Sequence, residues 1–558
     1  MIYKRILFWL QQKNRIVYLI YSAVALFILF PLLKSGYIFA MDMVFTPHLA
    51  WPEPFSVTGA FLYFLNFIFP GEIVQKIFLF LVLFLAGIGM HRLIPTESRL
   101  PKYFAGIFYV FNPWVYSHFL FGQFWLLIAY ALMPFAVKAI FSFLNNINLR
   151  NALKLSLWFV LIGFISSHFI IFVFLFFAVA FLVYLFKALK ERKEIFRMFK
   201  HASLILLIFF VFSAWWILPY FNTSSPQGHL LQEAVGRKDF ESFKTEGDAK
   251  YGVLLNVAAL YGFWGDRMNQ YILPKDVVRG WFLLFLIILA LVIFGTISAF
   301  KKNKPMTITF IIAAAIAFIL SVGIAYQPFA PIINFLNEKT FIFKGFRDSQ
   351  KFSALLVLAY SYFGAVGINA IFKHLSVERL KYLKLVLAVF LVSLPVLYSP
   401  LMVWGFCGQL YTSHYPQEWF KTNEILNQDK ENFKVLFLPW HQYMPFSFVG
   451  YKVVVNPAPR FFDKETIAGD NMEIGVYTHS KRPVSRVVED VVLRRIQGID
   501  NFGEILAPFN IKYIILAKES DWLKYYFLDE QKDLEIIYDL EYLKIYQNKS
   551  WEIAVPNI

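Results

Sequence analysis

The sequence predicts a polytopic α-helical membrane protein, with about 11 transmembrane helices, that carries a C-terminal α/β or α+β domain. Three observations predict it. The 558 residues are 58% hydrophobic, 20% aromatic and 16% charged, with a mean hydropathy of +0.56; soluble domains run near 45–50% apolar and about 25% charged. Apolar runs near the ~20 residues needed to cross a bilayer recur through the first 400 positions. Beyond Ser399 the pattern changes to short alternating runs such as Lys434–Leu438, Tyr451–Val455 and Lys512–Leu516, punctuated by Pro and Gly, which read as strands. This composition excludes an ordinary soluble enzyme, a disordered chain and a disulfide scaffold. The lone Cys407 allows neither an intramolecular disulfide nor a cysteine-based metal site.

The net charge of +16 is unevenly placed. Residues 1–400 hold 36 Lys and Arg against 16 Asp and Glu, and residues 401–558 hold 17 against 21. The excess lies in short loops between apolar runs, the positive-inside pattern of a membrane protein, so no nucleic-acid partner is expected.

The first span is Ile16–Leu33. It follows a start bearing Lys4, Arg5, Lys13 and Arg15 and no acid, and it reads as a retained span with a cytoplasmic N-terminus rather than a cleaved signal. Further spans read at 72–91, 103–120, 124–143, 155–167, 168–186, 201–220, 281–300, 306–325, 352–372 and 382–399. The pair 155–167 and 168–186 also fits one long tilted helix. The loop 187–200, with six Lys and Arg against two Glu, favours a hairpin with its tip near Ser166, Ser167 and His168, because only then does this loop lie inside. The basic loops near 92–102, 144–154, 301–304 and 373–381 then lie inside as well. Four segments are left outside: 35–71, 221–280, 326–351 and everything after Ser399. The division expected is a membrane domain over 1–399 and an extracytoplasmic domain over 400–558.

The spans carry almost no buried charge, which argues against a transporter's mid-membrane site and for polar chemistry at the outer surface. The first outer loop runs Gly36-Tyr-Ile-Phe-Ala-Met-Asp42-Met-Val-Phe-Thr-Pro-His48. Asp42 is the only acid before Glu53, and it sits among Met41, Met43, Val44 and Phe45. An apolar setting raises a carboxylate's pKa and makes it a better base; the ordinary alternative is a turn or capping aspartate. Residues 53–70 then read as an amphipathic segment lying in the interface.

A short cytoplasmic start, one span and an outer loop bearing an acid resemble the GT-C superfamily of integral-membrane glycosyltransferases. The segments Phe111-Asn-Pro-Trp-Val-Tyr116 and Gly345-Phe-Arg-Asp-Ser-Gln-Lys-Phe352 are similar to its YfhO-like and arabinofuranosyltransferase-like branch. The resemblance implies a lipid-phosphate-dependent, inverting glycosyltransferase in a prokaryotic plasma membrane. Its partners would be a polyprenyl-phosphate sugar donor, an envelope glycan, glycolipid or glycoprotein acceptor, and the bilayer. Asp42 would be the general base. Many GT-C enzymes carry paired acids in this loop, whereas Asp42 is followed here by Met43 and Val44. No cofactor is therefore specified, and a divalent cation is left open. Two alternatives are kept: a transporter or flippase of lipid-linked glycans, and a non-catalytic envelope assembly protein of the same architecture.

A leaving phosphate in a partly dry site calls for cations. Lys344, Arg347 and Lys351 precede a span on the outer side, against the general charge bias, and are expected to bind the donor phosphate; snorkelling at a span end is the ordinary alternative. His48, His118 and His168 collect near the outer face but fit no metal-ligand spacing, so they and Gln123 are read as substrate contacts. Trp264, Asp266 and Arg267 suit a sugar ring, with an aromatic face beside a carboxylate, and Asp266 is the reserve acid; belt packing explains the same residues. The polar and aromatic turns Pro439-Trp440-His441-Gln442-Tyr443 and Asn456-Pro-Ala-Pro-Arg460 suit recognition of an acceptor glycan, but a plain extracytoplasmic domain covering the membrane site is the preferred reading.

Overall fold

The computed structural model describes residues 15–52, 55–222, 225, 228, 237–374, 381–471, 473, 480, 482–494 and 499–551. Lys4, Arg5, Lys13, Glu53 and most of the loop 373–381 lie outside them. The chain divides into two compact units. One comprises Met1–Pro31, Ser56–Thr58 and Ile77–Gln409; the other comprises Leu32–Phe55, Gly59–Lys76 and Leu410–Ile558.

The membrane unit is helical. Among the described residues, eight helices are long and apolar enough to cross a bilayer: Ile16–Leu33, Gly71–Leu93, Phe124–Asn145, Ser167–Ala188, Arg192–Phe221, Trp281–Phe300, Lys304–Ala325 and Ser349–His374. The pair Tyr382–Tyr398 and Pro400–Cys407, bent by 74°, makes nine if taken as one span. The sequence reading gave about 11, and two of its runs fall short. The run 103–120 divides into Arg99–Val110 and Pro113–Leu120. Pro113 has no N–H to continue the first helix but suits the first turn of the second. Asn112 accepts from Val115 N at 3.0 Å, and its amide donates back to the Phe108 and Tyr109 carbonyls at 3.0 and 3.1 Å, so it satisfies both broken ends. The run 155–167 is the 17-residue helix Leu149–Ile165, which spans only about 25 Å at 1.5 Å per residue. The backbone is extended at Ser166, whose hydroxyl caps Ser167–Ala188 by accepting from Phe169 N at 3.3 Å.

Small residues set the closest crossings. A Cβ on Gly295 would lie 1.8 Å from the Phe363 carbonyl oxygen, and one on Gly367 would lie 2.5 Å from that of Leu291. Helices Trp281–Phe300 and Ser349–His374 therefore meet backbone to backbone, as small-residue membrane crossings do. Gly295→Leu is expected to force the pair apart, at a cost of about 1–3 kcal/mol or more for overpacking. A lower melting temperature of the detergent-purified variant, beside an unchanged Gly280→Ala control in open space, checks this.

The bent pair ends in Trp404–Gly408, five successive residues with positive φ. Non-glycine residues resist this region, and packing holds it here. Trp404 stacks on Phe30 at 4.9 Å and Phe406 on Phe119 at 4.6 Å, while Gln409 donates to the Tyr116 hydroxyl at 2.6 Å. The turn thus braces helix Pro113–Leu120.

The second unit joins the loop after the first span to the tail. Strand β1 (Tyr37–Ile38) pairs antiparallel with β2 (Thr412–Ser413). β3 (Lys434–Leu438) is followed by the hairpin β4–β5 (Tyr443–Pro445, Val453–Val455), and then by β6 (Thr466–Ile467), β7 (Ile511–Ala517), β8 (Leu534–Asp539) and β9 (Leu543–Asn548). The main sheet has the order β6-β3-β7-β9-β8, parallel across β6-β3-β7 and antiparallel beyond. β7 is buried along its whole length, as a central strand covered on both faces should be. Leu436, Leu438, Trp440, Ile514, Leu516 and Tyr546 form part of its core. The helix Val57–Asn66 lies within the segment read as interfacial and exposes Phe61 and Phe64.

Candidate functional site

In the tail unit, Asp42 sits on a tight turn closed by reciprocal backbone bonds between Ala40 and Met43, at 3.2 and 3.0 Å. The apolar residues around it act as anchors: Met41, Met43, Val44 and Phe45 are buried, while Asp42 is half-buried. Gln75 brackets Ile38 with bonds of 2.9 and 2.6 Å. Val455 N donates to the Met41 carbonyl at 2.8 Å, and the Tyr415 hydroxyl to that of Phe45 at 2.9 Å. The Tyr443 hydroxyl donates to Asp42 Oδ1 at 2.8 Å. Such a bond fixes the direction of a carboxylate. His48, six residues on, is exposed, and its carbonyl accepts from Thr46 Oγ1 at 2.7 Å.

His441 lies two residues before Tyr443 and is clasped by two acids, Nδ1 to Glu473 at 2.9 Å and Nε2 to Asp521 at 3.0 Å, with Lys524 on Asp521 at 2.9 Å. Burial alone would lower the His441 pKa, but the two carboxylates outweigh it and hold it at about 9. Its proton in turn brings Asp521 down to about 2. The stabilisation from His441 is complete below the ordinary histidine pKa near 6.5 and is lost as pH rises through 9. That from Asp521 is complete above the ordinary value near 3.9 and is lost as pH falls through 2. The wild-type protein should therefore melt at a lower temperature at pH 9 than at pH 6, and His441→Gln should flatten that difference; melting curves at the two pH values check it.

In the membrane unit, the turn Trp264–Met268 and the stretch Phe341–Phe352 bring most of the remaining candidates together. Trp264 meets the Phe243 ring edge-on at 4.8 Å, and the Arg347 guanidinium stands 4.5 Å from the centre of the same ring, a cation–π contact. Arg267 pairs with Glu246 at 3.4 Å and donates to the Ser242 carbonyl. Asp266 is half-buried and accepts from Ser117 Oγ at 3.2 Å; loss of solvent around it raises its pKa to about 7. Asp348 is buried and faces Lys351 at 3.6 Å, and burial raises its pKa although Lys351 pulls the other way. His168 Nε2 bonds the Gly345 carbonyl at 3.0 Å and meets the Phe346 ring edge-on at 5.1 Å, which anchors the stretch bearing Lys344 and Arg347. Lys344 is half-buried on the turn Phe341–Phe346. His118 is fully buried and stacks on Trp114 at 4.0 Å. Its Nδ1 donates to the Trp114 carbonyl at 2.8 Å, and its Nε2 has no partner among the described residues. The Lys351 charge acts on both His118 and His168. Gln123 is half-buried at the start of Phe124–Asn145, its N–H donating to the His118 carbonyl at 3.0 Å. Among the described residues, no three His, Cys, Asp or Glu side chains form a group able to hold a metal ion.

Three contacts of the candidate residues escape sequence reading. Tyr443 lies 401 positions from Asp42, Phe243 lies 104 positions from Arg347, and Asp348, though it stands between two expected phosphate-binding cations, reads as a local helix cap.

No family model matches the sequence, and no curated protein matches it. Solved structures do. The chain overlays on the arabinofuranosyltransferase AftD from mycobacteria with a TM-score of 0.62 and 12% identity, over 96% of this chain and 40% of AftD. A structure of the AftD mutant R1389S gives 0.57 and 13%, over 96% and 41%. ArnT from Cupriavidus metallidurans overlays at a TM-score of only 0.39 and 8% identity, over 97% of this chain and 99% of ArnT, too low to establish a shared fold. The chain thus spans about 40% of the length of AftD. It is a multi-pass membrane protein that shares the fold of that part of AftD.

Proposed function

We propose that the chain is an inverting membrane glycosyltransferase. It moves a sugar from a polyprenyl-phosphate donor to an envelope glycan, glycolipid or glycoprotein on the outer face of a prokaryotic plasma membrane. The observation that carries this reading is the AftD overlay, which runs through 96% of the chain. Asp42 supports it: a half-buried carboxylate, held by Tyr443, on the loop where the superfamily carries its acid.

The chemistry is one displacement. An acceptor hydroxyl attacks the anomeric carbon, a new C–O bond forms, and the bond from that carbon to the phosphate oxygen breaks. The electron pair leaves with polyprenyl phosphate, and Asp42 takes the hydroxyl proton. Lys344, Arg347 and Lys351 take the phosphate: Arg347 through two parallel bonds, the lysines as point charges. Gln123 and His168, both half-buried, meet the sugar, whereas His118 and Trp264 are buried in the packing. On this reading the membrane domain falls within 1–399 with a cytoplasmic N-terminus, and 400–558 is extracytoplasmic together with the segments 32–55 and 59–76 of its compact unit.

The test compares surface-glycan profiles of cells lacking the protein with those of cells carrying it. It adds release of polyprenyl phosphate by the purified protein from a polyprenyl-phosphate sugar. A glycan shortened at one linkage, with donor turnover in vitro, is expected. A changed profile without donor turnover would move the protein to transport or assembly; an unchanged profile without turnover would end the proposal.

A further inference from the structure

The membrane unit holds another group of cations at the far end of its spans. Helix Ser349–His374 begins beside Asp348, and near its other end Asn369 accepts from Thr96 Oγ1 at 3.1 Å. Thr96 belongs to the short connection between Gly71–Leu93 and Arg99–Val110. Arg92, Arg99 and Lys102 flank that connection, and the neighbouring helix Phe124–Asn145 adds Lys138. Lys138 Nζ donates to the Arg92 carbonyl at 3.0 Å. The Arg92 guanidinium stands 5.1 Å from the Tyr18 ring centre and donates to the Tyr18 hydroxyl. The charges of Arg92 and Lys102 both act on Lys138, and that of Arg99 acts on Tyr103. None of the four cations forms an ion pair among the described residues. Glu97, the one acid of the connection, is exposed.

Gathering like charges costs free energy unless an anion offsets it. Cations at span ends ordinarily avoid that cost by extending separately into water. Lys138, though exposed like Arg92 and Arg99, departs from that pattern in its position and its tether: it lies about 10 Å short of the end of its helix and is held on the Arg92 backbone. The Arg92 fork, fixed by Tyr18, keeps most of its five donors for another group, and the Lys138 ammonium keeps two of three. A planar fork beside a point charge suits the oxygens of a phosphate. The Tyr18 and Tyr103 rings are of the kind that sit at headgroup depth. We propose that Arg92, Lys138, Lys102 and Arg99 form a phosphate-binding site, separate from the cations at Asp348, whose ligand is the headgroup phosphate of an anionic phospholipid.

The test uses the purified full-length protein in mixed micelles. Phosphatidylglycerol is titrated against a phosphatidylcholine background, and binding is followed by melting temperature and by lipid retained in native mass spectrometry. The wild type should bind phosphatidylglycerol selectively. Arg92→Gln and Lys138→Gln should each weaken binding about fivefold, the worth of one cation near a charged headgroup, whereas Lys138→Arg should keep it. Lys190→Gln, in another basic loop, should have no effect. If inorganic phosphate competes fully at the same site, the chemistry holds and the source is a soluble phosphate; if it does not compete, the source is the lipid. Equal binding by the wild type and the Arg92→Gln/Lys138→Gln double variant overturns the proposal. So does equal weakening by Lys190→Gln, which would mean diffuse surface charge. The Lys138→Arg and Lys138→Gln comparison decides the matter if the double variant does not fold.

Discussion

Asp42→Asn is expected to lower sugar transfer by roughly 10²–10⁴-fold, the usual worth of a positioned general base, without loss of the folded protein. The stability half of this expectation follows from the loop. Its anchors are the buried Met41, Met43, Val44 and Phe45, the β1–β2 pairing and the bonds from Gln75 and Val455, and none of them uses the Asp42 carboxylate. Asparagine keeps an oxygen for the Tyr443 hydroxyl but cannot take a proton from an acceptor. Tyr443→Phe separates direction from basicity. It removes the 2.8 Å bond to Oδ1 and leaves the base, so it should reduce turnover by about tenfold, the value of one bond to a charged group. Release of polyprenyl phosphate, measured beside the melting temperature, distinguishes these outcomes. Full activity in Asp42→Asn would remove Asp42 from the chemistry and leave Asp266 as the acid to test.

Much of the membrane body is legible in the sequence, because a span must be apolar for about 20 residues whatever its neighbours. The Asn112–Pro113 break is legible for the same kind of reason: a proline without an N–H, preceded by a side chain able to cap, ends one helix and starts another. The count of spans is less legible, since hydropathy registers the apolar length of 103–120 and not the two short helices into which it divides. In the tail, Lys434–Leu438 and Lys512–Leu516 alternate or run apolar, and they stand side by side as β3 and β7. Tyr451–Val455 has the same look but joins a separate two-stranded hairpin, because pairing partners are chosen by tertiary packing and not by the run itself. The candidate site is least legible where it depends on contacts across the sequence. Nothing near Asp42 announces Tyr443, and nothing near Arg347 announces Phe243.

Lys351→Gln should reduce the yield of folded protein, and Asp348→Asn/Lys351→Gln should restore it. Asp348 and Lys351 are 4% and 15% exposed and 3.6 Å apart. Removing only the ammonium leaves a buried carboxylate without its counter-ion, which costs about 3–5 kcal/mol or forces the acid to take up a proton. Neutralising both removes that penalty, so the double variant gives a folded protein without the lysine and exposes its role in transfer. If Lys351 binds the donor phosphate, the double variant should raise KM for the polyprenyl-phosphate sugar and lower kcat, because the phosphate gains charge as it leaves. Arg347→Ala should act more strongly on KM, by about 10–100-fold for a lost bidentate charged contact, and should lower the melting temperature less than Lys351→Gln, since Arg347 packs on the Phe243 ring and Lys351 is the cation paired with Asp348. Phe243→Ala should reproduce part of that KM change, because the guanidinium loses the face that fixes it. A wild-type KM in both Arg347→Ala and the double variant would show that these cations only pack and snorkel, and the leaving phosphate would need another partner.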